Sequence, residues 1–115
     1  MHELSIAISL VDVAGEEARR LELTGIRSVH VKLGALSGVV KESLRLAFEL
    51  ARDGSLLDGA DLVIEDVPVT IHCPTCGGPS LADSVQQLRC ARCGTLSGDV
   101  IGGRELELVG LEVDQ

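Results

Sequence analysis

Four cysteines constrain this chain more than any other feature. They stand as CPTCGG, with Cys73 and Cys76, and CARCG, with Cys90 and Cys93, thirteen residues apart. Each CxxC turn brings two sulfurs to one point, and the glycine after each pair lets the backbone turn so that N–H groups face the thiolates. Four thiolates complete a closed tetrahedron that suits Zn²⁺ and leaves no position for water. Two disulfides are disfavoured where thiols stay reduced, and a thioredoxin-like redox site needs one CxxC in a βαβ setting. Rubredoxin-like iron uses similar knuckles and stays open. A closed site of this kind does structural work and names no function by itself.

The surrounding stretch supports the need for a metal. From Pro68 to Gly103 it holds all four cysteines, all three prolines and many glycines, with few large apolar residues. A segment of that size and makeup cannot bury enough surface to fold alone. We therefore expect an inserted zinc-binding domain over residues 68–103, within a second domain formed by residues 1–67 and 104–115.

The flanking parts read as helices and strands. From Glu3 to about Leu23, apolar Leu4, Ile8, Val11, Ala18 and Leu21 recur at helical spacing, with Glu16, Glu17, Arg19 and Arg20 as a polar patch. In SVHVKLG, Val29, Val31 and Leu33 alternate with Ser28, His30 and Lys32, which predicts a half-buried strand. Leu44, Ala47, Phe48 and Ala51 define a second helix, and DLVIEDV a second strand. In RELELVGLEV, Leu106 and Leu108 share a face and then Leu111 and Val113, a phase slip at Val109-Gly110 that suggests a β-bulge. The class is α+β.

Charge narrows the partners. The formal net charge of -8 opposes binding to phosphate backbones, whose affinity for proteins comes largely from Lys and Arg displacing counterions. Phe48 is the sole aromatic, so stacking platforms for single-stranded nucleic acid cannot be built. No apolar segment reaches 18 residues, which excludes a membrane-spanning helix. The apolar start does not read as a signal peptide, because Glu3 stands where positive charge belongs and Asp12 interrupts the run. A soluble cytoplasmic protein is expected.

The chain begins Met1-His2-Glu3. Methionine removal generally requires a small second residue, so Met1 is expected to stay. Its α-amine and the deprotonated amide of His2 close a five-membered chelate ring on a metal, and His2 Nδ1 closes a six-membered ring from the same amide. Three nitrogens then lie nearly coplanar, an arrangement that favours Ni²⁺ or Cu²⁺ over Zn²⁺. Glu3, through its carboxylate or amide, is a candidate fourth donor. On residues alone, a solvated chain end is the better account of His2, and a favourable place at the positive end of a helix accounts for Glu3.

Four segments taken together tip that balance. MHELSIA, VHVKLGALSGVVKESLRLAFE, the paired CxxC knuckles after VPVTIHC, and GGRELELVGLEV resemble, in order and over essentially the whole chain, the HypA/HybF family of hydrogenase nickel-incorporation proteins. The resemblance implies a nickel metallochaperone, not an enzyme, with two helices on a three-stranded sheet and an inserted zinc-ribbon-like domain. It implies Ni²⁺ as transported cargo at Met1, His2 and Glu3, and structural Zn²⁺ at Cys73, Cys76, Cys90 and Cys93. It further implies the nickel GTPase HypB and the NiFe-hydrogenase large subunit precursor as partners, with urease maturation proteins as further clients of some relatives.

There are departures. Several relatives place histidines beside both CxxC pairs, whereas only His72 does so here, and residues 94–104 contain no histidine. His72 is expected to be exposed or to sit just outside the metal's ligands, and His30 to be solvated. The competing function is a zinc-ribbon nucleic-acid or transcription module, with a redox enzyme as a third option.

Overall fold

The computed structural model describes residues 3–114. Along the chain run α1 (Glu3–Arg20), β1 (Ile26–Gly34), α2 (Lys41–Ala51), β2 (Asp61–Val67), β3 (Thr70–Cys73), β4 (Gly78–Leu81), β5 (Val100–Gly102) and β6 (Leu106–Val113). Two three-stranded sheets form, in the orders β2-β1-β6 and β4-β3-β5. The chain divides into two compact units, one of Met1–Val31, Val39–Glu65 and Glu107–Gln115, the other of Lys32–Gly38 and Asp66–Leu106. The expected α+β class, with two helices and a three-stranded sheet, is what forms. Among the described residues no helix is long and apolar enough to cross a membrane.

In the first unit α1 packs against α2, on part of the expected stripe, since Val11 and Ala18 are buried as expected. Leu4, Ile8 and Leu21 are about half exposed, while Ala7, Leu10, Val11, Ala14, Gly15 and Ala18 are buried. Small residues let two helices approach closely, and a row of large ones would hold them apart. Size, more than hydrophobicity, therefore selected the inward face. Beyond Arg20 the helix is stopped by Glu22 at φ 56, with Leu23 N–H donating to Ala18 O at 2.8 Å and Glu22 N–H to Arg19 O at 3.2 Å. That pair of bonds is a Schellman closure, made here without the usual glycine.

The core of this unit joins α1 to Val29 and Val31 of β1, to Leu44, Ala47 and Phe48 of α2, and to Leu62 of β2. Leu57 and Ala60, in the turns before β2, are fully buried within it. On β6 the residues packed against the core are Leu108, Leu111 and Val113, so the inward phase does slip across Val109-Gly110.

Ser28 lies on the face of β1 expected to be polar, yet it is only 4% exposed. Its hydroxyl donates to Glu112 Oε1 at 2.8 Å and lies 3.0 Å from His30 Nε2, and Arg27 pairs with the same carboxylate. The Ser28 bond first, then those of Arg27 and His30, hold the Glu112 carboxyl below its ordinary value of 4.5. A lowered carboxyl favours folding above the ordinary carboxylate range, and the benefit fades as pH falls through the lowered value. Side-chain carbon NMR titration is expected to place the Glu112 midpoint below 4.5, and Ser28→Ala to move it upward. An unmoved midpoint would show that the hydroxyl is not what sets it.

In the second unit β3 is central. It pairs antiparallel with β4, Thr70 facing Leu81 and Cys73 facing Gly78, and with β5, Thr70 facing Gly102 and Ile71 facing Val100. Val69, Ile71, Cys73 and Cys90 form its small core, with Leu36, Ala82, Leu88 and Val100 packed around them.

Gly34 closes this unit tightly. Its N–H donates to Glu105 O at 2.6 Å, and Leu36 N–H donates to Gly103 O at 2.7 Å. A Cβ on Gly34 would overlap the Gly103 carbonyl, a backbone group that no rotamer change can clear. Gly34→Ala is expected to cost roughly 1–3 kcal/mol, read as a lower urea midpoint at unchanged slope.

Candidate metal centre

Two knuckles of the same design face each other. In the first, β3 delivers Cys73, the chain turns through Pro74 to Gly77, and β4 leads away. Gly77 N–H donates to Cys73 O at 2.8 Å, and Cys76 N–H points at Cys73 Sγ, 3.4 Å away. The second repeats the closure, with Gly94 N–H donating to Cys90 O at 2.8 Å. The two glycines have φ of 77 and 79, a region that L residues rarely adopt. This is why each CxxC is followed by glycine.

The four sulfurs converge. All lie within 4.8 Å of one another, with Cys73 and Cys93 3.5 Å apart and Cys76 and Cys90 3.9 Å apart. A tetrahedral ion with metal–sulfur bonds of about 2.3 Å would set its ligands roughly 3.8 Å apart. A disulfide needs about 2.05 Å, and the cysteines are free thiols. Cys73 and Cys90 are buried, whereas Cys76 and Cys93 are exposed, so the centre sits at the edge of the small core.

Charge explains why a cation fits. Hydrogen bonds with Cys93 and then Cys73 push the Cys76 thiol up to about 12, while the Ser80 hydroxyl leads the groups that bring Cys90 down to about 5. Four sulfurs this close cannot all ionise without a positive charge among them. Hydroxyls supplement it: Ser80 Oγ lies 3.0 Å from Cys90 Sγ, and Thr95 Oγ1 lies 3.2 Å from Cys93 Sγ and 2.9 Å from Thr75 Oγ1. The spacing of the cysteines gave no sign of Ser80 or Thr95. Serine and threonine are common in loops, and it is the bridge between Ala82 and Cys90, with Ala91 N–H donating to Leu81 O at 2.9 Å, that brings the end of β4 and so Ser80 beside Cys90.

Among the described residues, no other candidate joins this cluster. His72 is exposed on β3 between buried Ile71 and Cys73. Its N–H donates to Asp99 O at 2.9 Å and its carbonyl accepts from Ser97 Oγ at 2.6 Å. His30 belongs to the Ser28–Glu112 group. Met1 and His2 lie outside the described residues. Glu3 opens α1, and its Oε2 accepts the N–H of Val40, the residue before α2, at 3.2 Å.

Fold and centre together define a small metal-binding protein, an α+β unit joined to a ribbon that gathers four thiolates at one point. Residues 1–113 match the family described as hydrogenase/urease nickel incorporation, metallochaperone, hypA. Hydrogenase maturation factor HypA of Chloroflexus aurantiacus is 45% identical over 97% of this chain and 98% of its own. That of Roseiflexus sp. is 42% identical, over 99% and 93%. The solution structure of the Ni metallochaperone HypA from Helicobacter pylori superposes with a TM-score of 0.69 at 30% identity, covering 98% of this chain and 97% of that one. This chain belongs to the HypA family of nickel-incorporation metallochaperones.

Proposed function

We propose that the chain binds Ni²⁺ at its N-terminus and delivers it to the NiFe-hydrogenase large subunit precursor, while Zn²⁺ on Cys73, Cys76, Cys90 and Cys93 holds the ribbon in shape. The nickel donors in this reading are the α-amine of Met1, the amide nitrogen and Nδ1 of His2, and a fourth group from Glu3. The observation that supports it best is a family match that includes residue 1 and runs to residue 113, with Met-His-Glu at its head. The bond from Val40 to Glu3 ties the third residue of that set to the start of α2.

Delivery requires moderate affinity, since a trap would never release its cargo. Binding through nitrogens that must first lose protons provides this, because neighbouring ligands and local pH can both displace the ion. The nickel GTPase HypB is the proposed source or companion in that transfer, urease maturation proteins are further candidate clients, and the setting is the cytoplasm. The role is carriage, with no catalytic step assigned to any residue.

The nucleic-acid alternative gains nothing from the ribbon's few cations. Arg89 lies 3.9 Å from Asp83, and Arg92 donates to Pro79 O at 3.1 Å. Nickel titration of tag-free, zinc-loaded protein, followed by absorption, tests the proposal against a His2→Ala variant and one extended before Met1. Loss of tight nickel in both, with zinc retained, is expected. Nickel bound as firmly in both variants would overturn it.

A further inference from the structure

Among the described residues β6 has one strand neighbour, β1, so it forms an edge of its sheet. An edge strand offers a row of backbone N–H and C=O groups, and folds commonly guard such rows with lysine, proline or a covering element. β6, LELVGLEV, contains no lysine, arginine or proline. Beside it lies an open groove of ≈ 390 Å³, lined by Val13, Glu17, Leu21 and Leu23 on one side and by Leu108 to Leu111 on the other. Val13, Glu17 and Leu21 recur every fourth residue and so form one ridge along α1 and the turn after it. Val13, Leu21 and Val109 are 51%, 48% and 54% exposed.

We infer that β6 accepts a fourth strand, an extended segment of a partner protein in which apolar and basic residues alternate. The edge calls for a strand because only extended backbone matches its row of donors and acceptors, as in β-strand addition. The groove calls for apolar side chains on the face turned toward the α1 ridge. Basic residues suit the opposite face, since the charged side chains of β6 are both carboxylates: Glu107, which stands open, and Glu112, which Arg27 already pairs. Glu107 is exposed, and its side chain has no hydrogen-bond or ion-pair partner among the described residues. Opposite charges facing across strands stabilise a sheet, and like charges destabilise it. A second copy of this chain fits poorly, for it brings the same two carboxylates and another formal charge of -8. Nothing in this surface depends on which metal the chain carries.

The probe is a capped eight-residue peptide of alternating valine and lysine, titrated into ¹⁵N-labelled, zinc-loaded full-length protein. Chemical-shift changes confined to β6 and the second half of α1, with slowed amide exchange on β6, are expected. A valine–glutamate peptide is expected to bind at least about tenfold more weakly, and Val109→Lys or Leu21→Glu to weaken the valine–lysine peptide by a similar factor. Both substitutions fall on half-exposed positions, so their own spectra check that the fold is kept. Shifts spread over the acidic surface and indifferent to Val109 and Leu21 would overturn the inference. So would β6 protection that grows with protein concentration alone, which would make the occupant a second copy.

Discussion

Cys73→Ser is expected to abolish stoichiometric zinc binding and to unfold the unit of Lys32–Gly38 and Asp66–Leu106, while the other unit keeps its structure. Cys73 is fully buried and belongs to the small core together with Val69, Ile71 and Cys90. Two of those four side chains are proposed zinc ligands, so removing the metal is expected to remove much of what the unit has to pack around. A serine hydroxyl does not ionise near neutral pH and leaves three sulfurs where four were gathered. Structural zinc in small domains contributes about 10–16 kcal/mol of apparent binding energy that is also folding energy, as much as the whole stability of an ordinary domain. The first unit has its own aliphatic core around Phe48, Leu44 and Leu57. Mass spectrometry of the native protein should find one zinc in wild type and none in the variant, and amide NMR dispersion should collapse for the ribbon alone. Retained zinc with a fully dispersed spectrum would show that the ribbon stands without its fourth thiolate.

The second large effect concerns nickel. His2→Ala removes the nitrogen that closes the six-membered ring, and residues added before Met1 turn the amine donor into an amide. Each is expected to weaken nickel binding at least about a hundredfold, equivalent to roughly 2.7 kcal/mol, without loss of zinc. Acid should act in the same direction. The α-amine, ordinarily at about 7.7–8.0, and the His2 amide must each give up a proton, so affinity should fall about a hundredfold per pH unit just below neutrality, and more steeply once an imidazole, ordinarily at about 6.5, is protonated too. With no Trp or Tyr in the chain, weak metal bands stand clear of protein absorption. A pH slope near zero, or nickel signals that come only from sulfur ligation, would remove the chelate from consideration.

Local chemistry was legible in the sequence, and long-range packing was not. The CxxC pairs could be read because both ligands and the turning glycine of each knuckle lie within five residues, and the four sulfurs do meet. The alternation of Val29, Val31 and Leu33 was equally local, and all three are buried. The stripe of α1 was misjudged at Leu4, Ile8 and Leu21 because hydrophobic spacing does not record how near the facing helix comes. Ser28 reads as a surface residue until Glu112, 84 residues later, covers it. The strands β3, β4 and β5 span three or four residues each, too few for a period to emerge among prolines and glycines. Leu57 and Ala60 sit in turns, where no repeat marks a residue for the core.

The glycines that close the two knuckles differ from Gly34 in what excludes a side chain. At Gly34 the obstacle is room, whereas at Gly77 nothing lies within 4 Å of an added Cβ and the obstacle is its φ of 77. Handedness alone, not volume, bars alanine there. The mirror-image amino acid, whose preferred torsions have the opposite sign, would sit in that turn without strain and would narrow the freedom of the metal-free loop.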